Sequence, residues 1–478
     1  MIMKKAVVTV IITVALLLAI PIALLAVGFL TPPQFDNTYY GELGFMYERL
    51  KTADNKKIVL VGNSSIAFGV RTDLLAAELP GYDIVGFGLY GSIGTKTMMD
   101  LSKANIKKDD IVILMPERGS QAQSLYFSAK NVWYAADSSF DILKRIPKSD
   151  RPSLVGNFPS FAADKFGCLT GGKPNVSGVY AQSSFDDPDG NEVGYMTYDR
   201  PYNIMIGGHD ANSSIEFHSG ISTEFIDYVN AYNDFIVDRG ATLYYGFTPI
   251  NTLALDDDTD AEVMNDYRDE LDDALACRIL GDPSDYIFDH EWFYDTDHHM
   301  NSAGMYAFTD RLAEDIKAEL GISTPNRIVV PEKPTAPIVP PVDGDNSDEA
   351  CFTYADTDGG VRITGLTEAG RVKTEVVIPA THDGKAVVSF DKTVFAGNTA
   401  LSSVSIQQNL RIIYDGSFDG CRRLTGLYVY QPDPNMLGVG YDLLRGAPNC
   451  SVYVWSDVYD IYATHYTWGA YRDRIKRM

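Results

Sequence analysis

Three short segments hold the side chains that could do covalent chemistry. The first is VGNSSIAFG, Val61 to Gly69. It ends an apolar run, KKIVLVG, that reads as a buried strand. A serine on the sharp turn after such a strand sits at the C-terminal edge of a parallel sheet, where ligand sites of open α/β sheets lie. Ser64 could act there as a nucleophile, with Gly62 permitting the turn, or Ser64 and Ser65 could cap the following helix. The second is FYDTDHHMNSAG, Phe293 to Gly304, in which Asp295 and Asp297 stand four and two residues before His299, and His298 is its neighbour. A carboxylate on one imidazole nitrogen fixes the tautomer and frees the other nitrogen to take a serine proton. Asp295, Asp297, His298 and His299 could instead ligate a metal, and Asn301 or Ser302 could cap the last helix. The third is VGFGLYGSIG, Val85 to Gly94. Its glycines suggest a phosphate cradle only weakly, because no acidic residue ~20 positions on completes a dinucleotide fingerprint.

The elements that must position these segments alternate. KKIVLVG, YDIVGFG and DDIVILMPE read as strands, and RTDLLAAEL and TKTMMDLSKANI as helices. That alternation argues for a parallel sheet with both faces covered. Glu117 and Arg118, at the end of the third strand, admit either a structural salt bridge or a part in the chemistry. From about Arg118 to Gly240 the chain is rich in Gly, Ser, Asp and aromatics and gives few elements. ATLYYGFTPIN reads as a strand, Asp260 to Leu280 as a helix, and Ser302 to Leu320 as the last helix. The acidic run LALDDDTDAEVMNDYRDELDDAL lacks the spacing of a calcium loop and reads as a solvated helix face.

Prolines crowd the stretch from Thr324 to Glu349, as in an extended linker. Beyond it, FAGNTALSSVSI from Phe395 and FDGCRRLTGLYV from Phe418 match at an offset of 23 residues. Phe395, Leu401, Val404 and Ile406 correspond to Phe418, Leu424, Leu427 and Val429. The period lies within the ~20–29 residues of leucine-rich repeats. Val376 to Pro379 fits the strand of a preceding unit. The aromatic tail from Tyr441 to Trp468 would cap the stack or present rings to a glycan.

The Gly62-Asn63-Ser64 block early and the His299-Met300-Asn301-Ser302-Ala303-Gly304 block late resemble the SGNH (GDSL-like) hydrolase family. The resemblance spans about Lys56 to Leu320. It implies a flavodoxin-like, doubly wound parallel sheet, with Ser64 as nucleophile, His299 as general base and Asp295 as its orienting carboxylate. Asp297 is the second choice, and the family's D-x-x-H spacing relates Asp295 to His298. It also implies that Gly88 or Gly91 donates an N–H to the oxyanion. The family's Asn after the third strand is replaced here by Met115-Pro116-Glu117-Arg118, so that either Arg118 or a residue of the Gly-rich middle stands in, or the oxyanion hole is weaker. The repeat pattern F-x-G-x-x-x-L-x-x-V-x-I resembles BspA-like leucine-rich repeats of bacterial cell surfaces and implies a small C-terminal solenoid.

Ala6 to Leu30 is uncharged throughout, with Lys4 and Lys5 before it. Twenty-five residues at ~1.5 Å each could span about 38 Å, more than a ~30 Å hydrocarbon core. The charge asymmetry predicts a single-pass transmembrane anchor with its N-terminus inside the cell and the bulk outside. The expected organisation is therefore an anchor (1–30), a juxtamembrane stretch (31–55), an SGNH-like α/β domain (56–322), a linker (323–349) and a repeat module (350–478). Forty Lys plus Arg against sixty-four Asp plus Glu leave a net charge of −24, which opposes nucleic-acid binding. A hydrophobic fraction of 45% excludes global disorder. Five cysteines without C-x-x-C spacing indicate neither a disulfide scaffold nor a zinc site. No metal or cofactor is expected. Together with the resemblance, this layout implies an extracellular serine esterase or O-acyltransferase acting on acylated polysaccharide or another cell-envelope polymer. Family relatives include the D-alanine transfer protein of teichoic acid synthesis and O-acetyl-transferring proteins of exopolysaccharide export. Some of them work with a membrane-bound O-acyltransferase. The competing expectation is a catalytically lapsed scaffold that binds a surface through its repeats.

Overall fold

The computed structural model describes residues 19, 21–174, 176, 178–203, 205, 208–210, 213–334, 348–440, 443–455, 458–465 and 467–478. The chain divides into two units, Met1–Pro174 with Tyr180–Thr335, and Asn175–Val179 with Ala336–Met478. Within the stretch expected as a linker, residues 335–347 lie outside those described.

The first unit is a mixed α/β body. KIVLVG forms β1 (Lys57–Gly62), buried at every position, as an apolar run must be when both of its faces are covered. The other strands are β2 (Asp83–Gly88), β3 (Ile111–Met115), β4 (Thr242–Tyr245), β5 (Ile250–Asn251), β6 (Arg278–Ile279) and β7 (Ile287–Phe288). The main sheet runs β2-β1-β3-β4-β6, and every pair in it is parallel. β5 and β7 form a separate parallel pair. The chain builds outward from β1 to β2 and then returns to the other side of β1 with β3. The C-terminal ends of β1 and β3 thus meet where the strand order reverses, with Gly62 opposite Met115. Open α/β sheets form their ligand crevice at that point.

The helix expected over Asp260 to Leu280 is Ala261–Ala274. Asp260 caps it, its carboxylate accepting from the N–H groups of Glu262 and Val263. Met264, Tyr267 and Leu271 face inward, which leaves the acidic residues in water. The last helix is Gly304–Glu319. The Gly-rich middle holds a 21-residue helix, Arg151–Gly171, that the sequence pattern hid. Pro152 falls in its first turn, where a missing N–H is harmless, but Pro159, Gly156 and Gly167 disguise its period.

The run expected to cross a membrane lies mostly outside the described residues. Its described part, residue 19 and residues 21–30, is helical. No helix among the described residues is long and apolar enough to cross a membrane.

The second unit stacks parallel strands. Glu375–Val377, Ser403–Ile406, Gly426–Val429, Ser451–Val454 and Ile475–Arg477 lie side by side in that order. Ser403 pairs with Gly426, the residue 23 positions on, so the sequence period is the step from one strand to the next. A second sheet includes Gly360–Leu366, Lys385–Phe390, Ile412–Ile413 and Gly438–Val439. Val404, Ile406, Leu427, Val429, Val452 and Val454 point into the shared core, where the Phe395 and Phe418 rings stack at 5.8 Å. The aromatic tail is more than a cap, because Ser451–Val454 within it adds a strand to the stack. All five cysteines are unpaired, and four of them are buried.

One buried ion pair holds the start of the central seam. Lys57 Nζ lies 2.6 Å from Asp110 Oδ2, with both side chains almost fully enclosed. Asp110 also accepts from the N–H groups of Lys57 and Lys107. Removing one partner leaves an uncompensated buried charge. Asp110→Ala should therefore destabilise the α/β unit by about 3–5 kcal/mol, read as a fall in its urea midpoint. A change under ~0.5 kcal/mol, the scale of surface substitutions, would contradict that role.

Candidate active site

The turn after β1 is built by close approach. A Cβ on Gly62 would fall 2.3 Å from the Met115 carbonyl oxygen, so only glycine lets β1 end this close to β3. Asn63 then leaves the strand in extended conformation, and Ser64–Gly69 forms a short buried helix. The Asn63 side chain gathers the neighbouring segments. Its Oδ1 accepts from Thr95 Oγ1 at 2.9 Å and from the Glu117 N–H at 3.3 Å. Its Nδ2 is buried with no partner among the described residues.

Glu117 extends from the end of β3 toward this turn. Its Oε1 accepts three hydrogen bonds, from Ser64 Oγ at 3.0 Å, the Ser65 N–H at 2.9 Å and Ser65 Oγ at 2.6 Å. Burial pushes its carboxyl pKa up. The charges of His298 and His299 and the bonds from Ser65 outweigh that, and the net result is below the ordinary glutamate range. Glu117 and Arg118 do not pair with each other. Arg118 turns away to the carbonyls of Glu216 and Ser219 and to Gln123 Oε1, and its guanidinium lies over the Tyr267 ring.

The late block is a tight loop held by its own backbone. Asn301 donates through Nδ2 to the carbonyls of Glu291 and Phe293. Its Oδ1 accepts from the Gly304 N–H at the start of the last helix. Ser302 binds the Arg200 backbone instead. The loop sets His299 Nδ1 2.8 Å from Asp295 Oδ1, and Tyr180 donates its hydroxyl to Asp295 Oδ2 at 2.7 Å. Burial and the Asp295 charge push the Tyr180 pKa well above the phenol range, which keeps it a donor. The imidazole stacks on Phe68 at 3.7 Å and 11°. The buried Arg200 guanidinium lies 5.1 Å from the centroid of the same ring. Burial lowers the Arg200 pKa to about 10, which still leaves it charged at neutral pH.

Ser64, Gly91, Glu117, Tyr180, His298 and His299 line one cavity of about 410 Å³ at the sheet edge. The two blocks, more than two hundred residues apart in sequence, thus face the same space. Ser64 gives its hydrogen bond to Glu117 rather than to either imidazole. Asp297 stands apart. It is buried against Asn251 Nδ2 at 2.8 Å and the Asp210 N–H at 3.2 Å, and burial raises its pKa. It therefore fastens loops and does not orient His299. His298 faces the cavity while its Nδ1 lies 3.1 Å from the Pro249 carbonyl oxygen. Asp295, Asp297, His298 and His299 do not bring three ligand atoms within 4.8 Å of one another, so they offer no metal cage. Of the expected oxyanion donors, Arg118 is engaged elsewhere. Gly88 ends β2 beneath the turn, where a Cβ would come 2.6 Å from the Asn63 oxygen and from Ile66, and it is not among the residues that line the cavity. Gly91 remains on the cavity wall.

Sequence reasoning missed Glu117's grip on the serines, and it missed Phe68, Tyr180 and Arg200. Only Glu117 left a signal, as a charge directly after a buried apolar strand. Phe68 reads as core, and Tyr180 and Arg200 come from the patternless middle.

No family model matches the chain, and no curated protein matches it. Among solved structures, the crystal structure of a T. pallidum leucine rich repeat protein matches at 23% identity and a TM-score of 0.16. That match covers 23% of this chain and 53% of that one, so the chain spans about half of that structure's length. A likeness at this score carries no argument about fold or function.

Because its carboxyl is held below the ordinary range, Glu117 contributes stability above the ordinary glutamate value of ~4.3, and that contribution is lost as pH falls through its lower folded value. Glu117→Gln should destabilise the unit at pH 7. The gap in urea midpoint from wild type should close as the pH is lowered through that window. A gap that is constant with pH would mean that the charge of Glu117 is not what holds the turn.

Proposed function

We propose that this chain is a serine esterase or O-acyltransferase of the SGNH (GDSL-like) type, anchored in a membrane and working outside the cell. The Asp295–His299 hydrogen bond carries the reading, because the imidazole it orients lines the same cavity as Ser64. The strand order β2-β1-β3-β4-β6, with Ser64 at the point of reversal, supports the doubly wound sheet that the family resemblance implies.

In this reading Ser64 turns its hydroxyl from Glu117 to His299. The imidazole takes the proton as Ser64 Oγ attacks an acyl carbonyl, and then returns it to the departing alcohol. Asp295, held by Tyr180, stabilises the imidazolium. Gly91, on the cavity wall, is the candidate to hold the oxyanion. Water or a sugar hydroxyl then takes the acyl group from Ser64. O-acetyl groups on envelope or exopolysaccharide glycans are the proposed substrates, and a membrane-bound O-acyltransferase is the proposed source of acyl groups if the acceptor is a sugar. The parallel stack of the second unit suits a leucine-rich-repeat module that would hold such a polymer.

A second reading has its own observation. Glu117 puts a carboxylate where the family has an asparagine, and it binds the hydroxyl that should attack. A lapsed enzyme serving as a surface-binding scaffold would look the same.

Fluorophosphonate labelling separates the two. The wild type should be labelled and Ser64→Ala should not. Asp295→Asn should slow p-nitrophenyl acetate turnover by about 10⁴-fold and His299→Gln by about 10⁶-fold, while Asp297→Asn should act mainly on stability. Equal turnover by wild type and Ser64→Ala would reject the serine mechanism. Labelling without turnover would assign the activity to transfer.

A further inference from the structure

Among the described residues, seven of the sixteen large hydrophobic side chains left exposed sit on two stretches. Ile22, Leu25, Phe29 and Leu30 belong to the N-terminal helical segment, with Leu30 82% exposed. Val155, Phe166 and Leu169 belong to the helix Arg151–Gly171, with Val155 72% and Phe166 55% exposed. The two stretches are fastened together. The Phe29 and Phe158 rings stack at 5.1 Å. A Cβ on Gly28 would strike the Phe158 ring at 2.6 Å, so the crossing is close. Lys165 Nζ, fully buried, donates to the carbonyls of Gly28 and Thr31 at 3.2 Å each and to Asp137 at 2.6 Å. The other oxygen of Asp137 accepts from the N–H groups of Gln34 and Phe35.

The helix has three faces rather than two. Leu154, Phe161 and Lys165 face the protein. Val155, Pro159, Phe166 and Leu169 follow at steps of four, seven and three residues and share an outer stripe. Ser153, Ser160 and Asp164 lie on the remaining face and are exposed. The outward half is therefore itself amphipathic, which a helix covered only by water has no need to be. At its N-terminal end, Lys144, Arg145, Lys148 and Arg151 all stand exposed within eight residues, in a chain whose net charge is −24.

We propose that the helix Arg151–Gly171 lies on a lipid surface. The Val155–Pro159–Phe166–Leu169 stripe sits at the acyl boundary, and the basic residues 144–151 sit among the headgroups. The occupant is argued from the chain that leads into the clamp. Ala6 to Leu30 is uncharged and apolar and requires apolar surroundings, and its end is bound to this helix. The medium that accepts that run also meets the stripe beside it. An exposed apolar stripe flanked by cations is the pattern of a helix lying in a membrane interface. The inference rests on the proposed membrane anchoring of the N-terminal run and not on the chemistry at Ser64.

The test uses the full chain in vesicles of phosphatidylcholine and phosphatidylglycerol that contain a phospholipid with a diazirine in its acyl chain. After photolysis, the labelled residues are mapped by mass spectrometry. Label is expected on residues 155–169 as well as on the N-terminal apolar run, with the solvated helix Ala261–Ala274 as the unlabelled control. In the triple variant Val155→Ser, Phe166→Ser, Leu169→Ser, label on this helix should fall to the control level while the N-terminal label persists. In the wild type, label confined to the N-terminal run would give the stripe to a protein partner or a second copy and overturn the proposal. An absence of label anywhere would overturn it as well.

Discussion

One carboxylate oxygen, Glu117 Oε1, joins the two strands between which the sheet order reverses. It takes three donors from the turn that follows β1, and so fixes where Ser64 and Ser65 lie relative to the end of β3. The opposite end of the same seam is fixed in a similar way, by Asp110 against Lys57. The seam between β1 and β3 is thus pinned at both ends by acids from the third-strand segment. The glycine contact between Gly62 and Met115 allows the two strands to end so close together.

From that fixed turn the rest of the site follows by short steps. The helix that begins at Ser64 also carries Phe68, and Phe68 is the platform for His299. The nucleophile candidate and the surface that orients the imidazole are therefore four residues apart on one rigid element. The aromatic stack, the Asp295 carboxylate and the Tyr180 hydroxyl together leave the imidazole little rotational freedom. His298 and His299 are adjacent in sequence but have different partners, because the loop sends one Nδ1 to a backbone carbonyl and the other to a carboxylate.

What could be read from the sequence was what local pattern determines. β1, β2 and β3 announce themselves as apolar runs ending in Gly62, Gly88 and Met115-Pro116. The last helix announces itself through Asn301 and Gly304, and the repeat through paired Phe and Leu positions. The segments around Ser64 and His299 stand out because their residue types suit proton transfer, and the choice of Ser64, His299 and Asp295 within them rests on the family resemblance. Asp297 could not be told from Asp295, since only the fold decides which carboxylate faces the ring and which is buried against Asn251. The contribution of Glu117 was illegible for the same reason, as it depends on strand order. Arg118 looked available, but a charged residue beside a site gives no sign in sequence of a loop such as 216–219 that will engage it. The helix Arg151–Gly171 went unseen because prolines and glycines interrupt its period, and because its exposed apolar side chains run against the rule that such residues face inward.

The five unpaired cysteines bear on redox chemistry. Oxidation and disulfide exchange proceed through the thiolate. Burial pushes the thiols of Cys277 and Cys450 up to about 12 and that of Cys421 up to about 11, so almost none of any of them is ionised at neutral pH. These thiols are shielded by low acidity as well as by enclosure. The described fold holds no disulfide, and these three thiols are poorly suited to forming one.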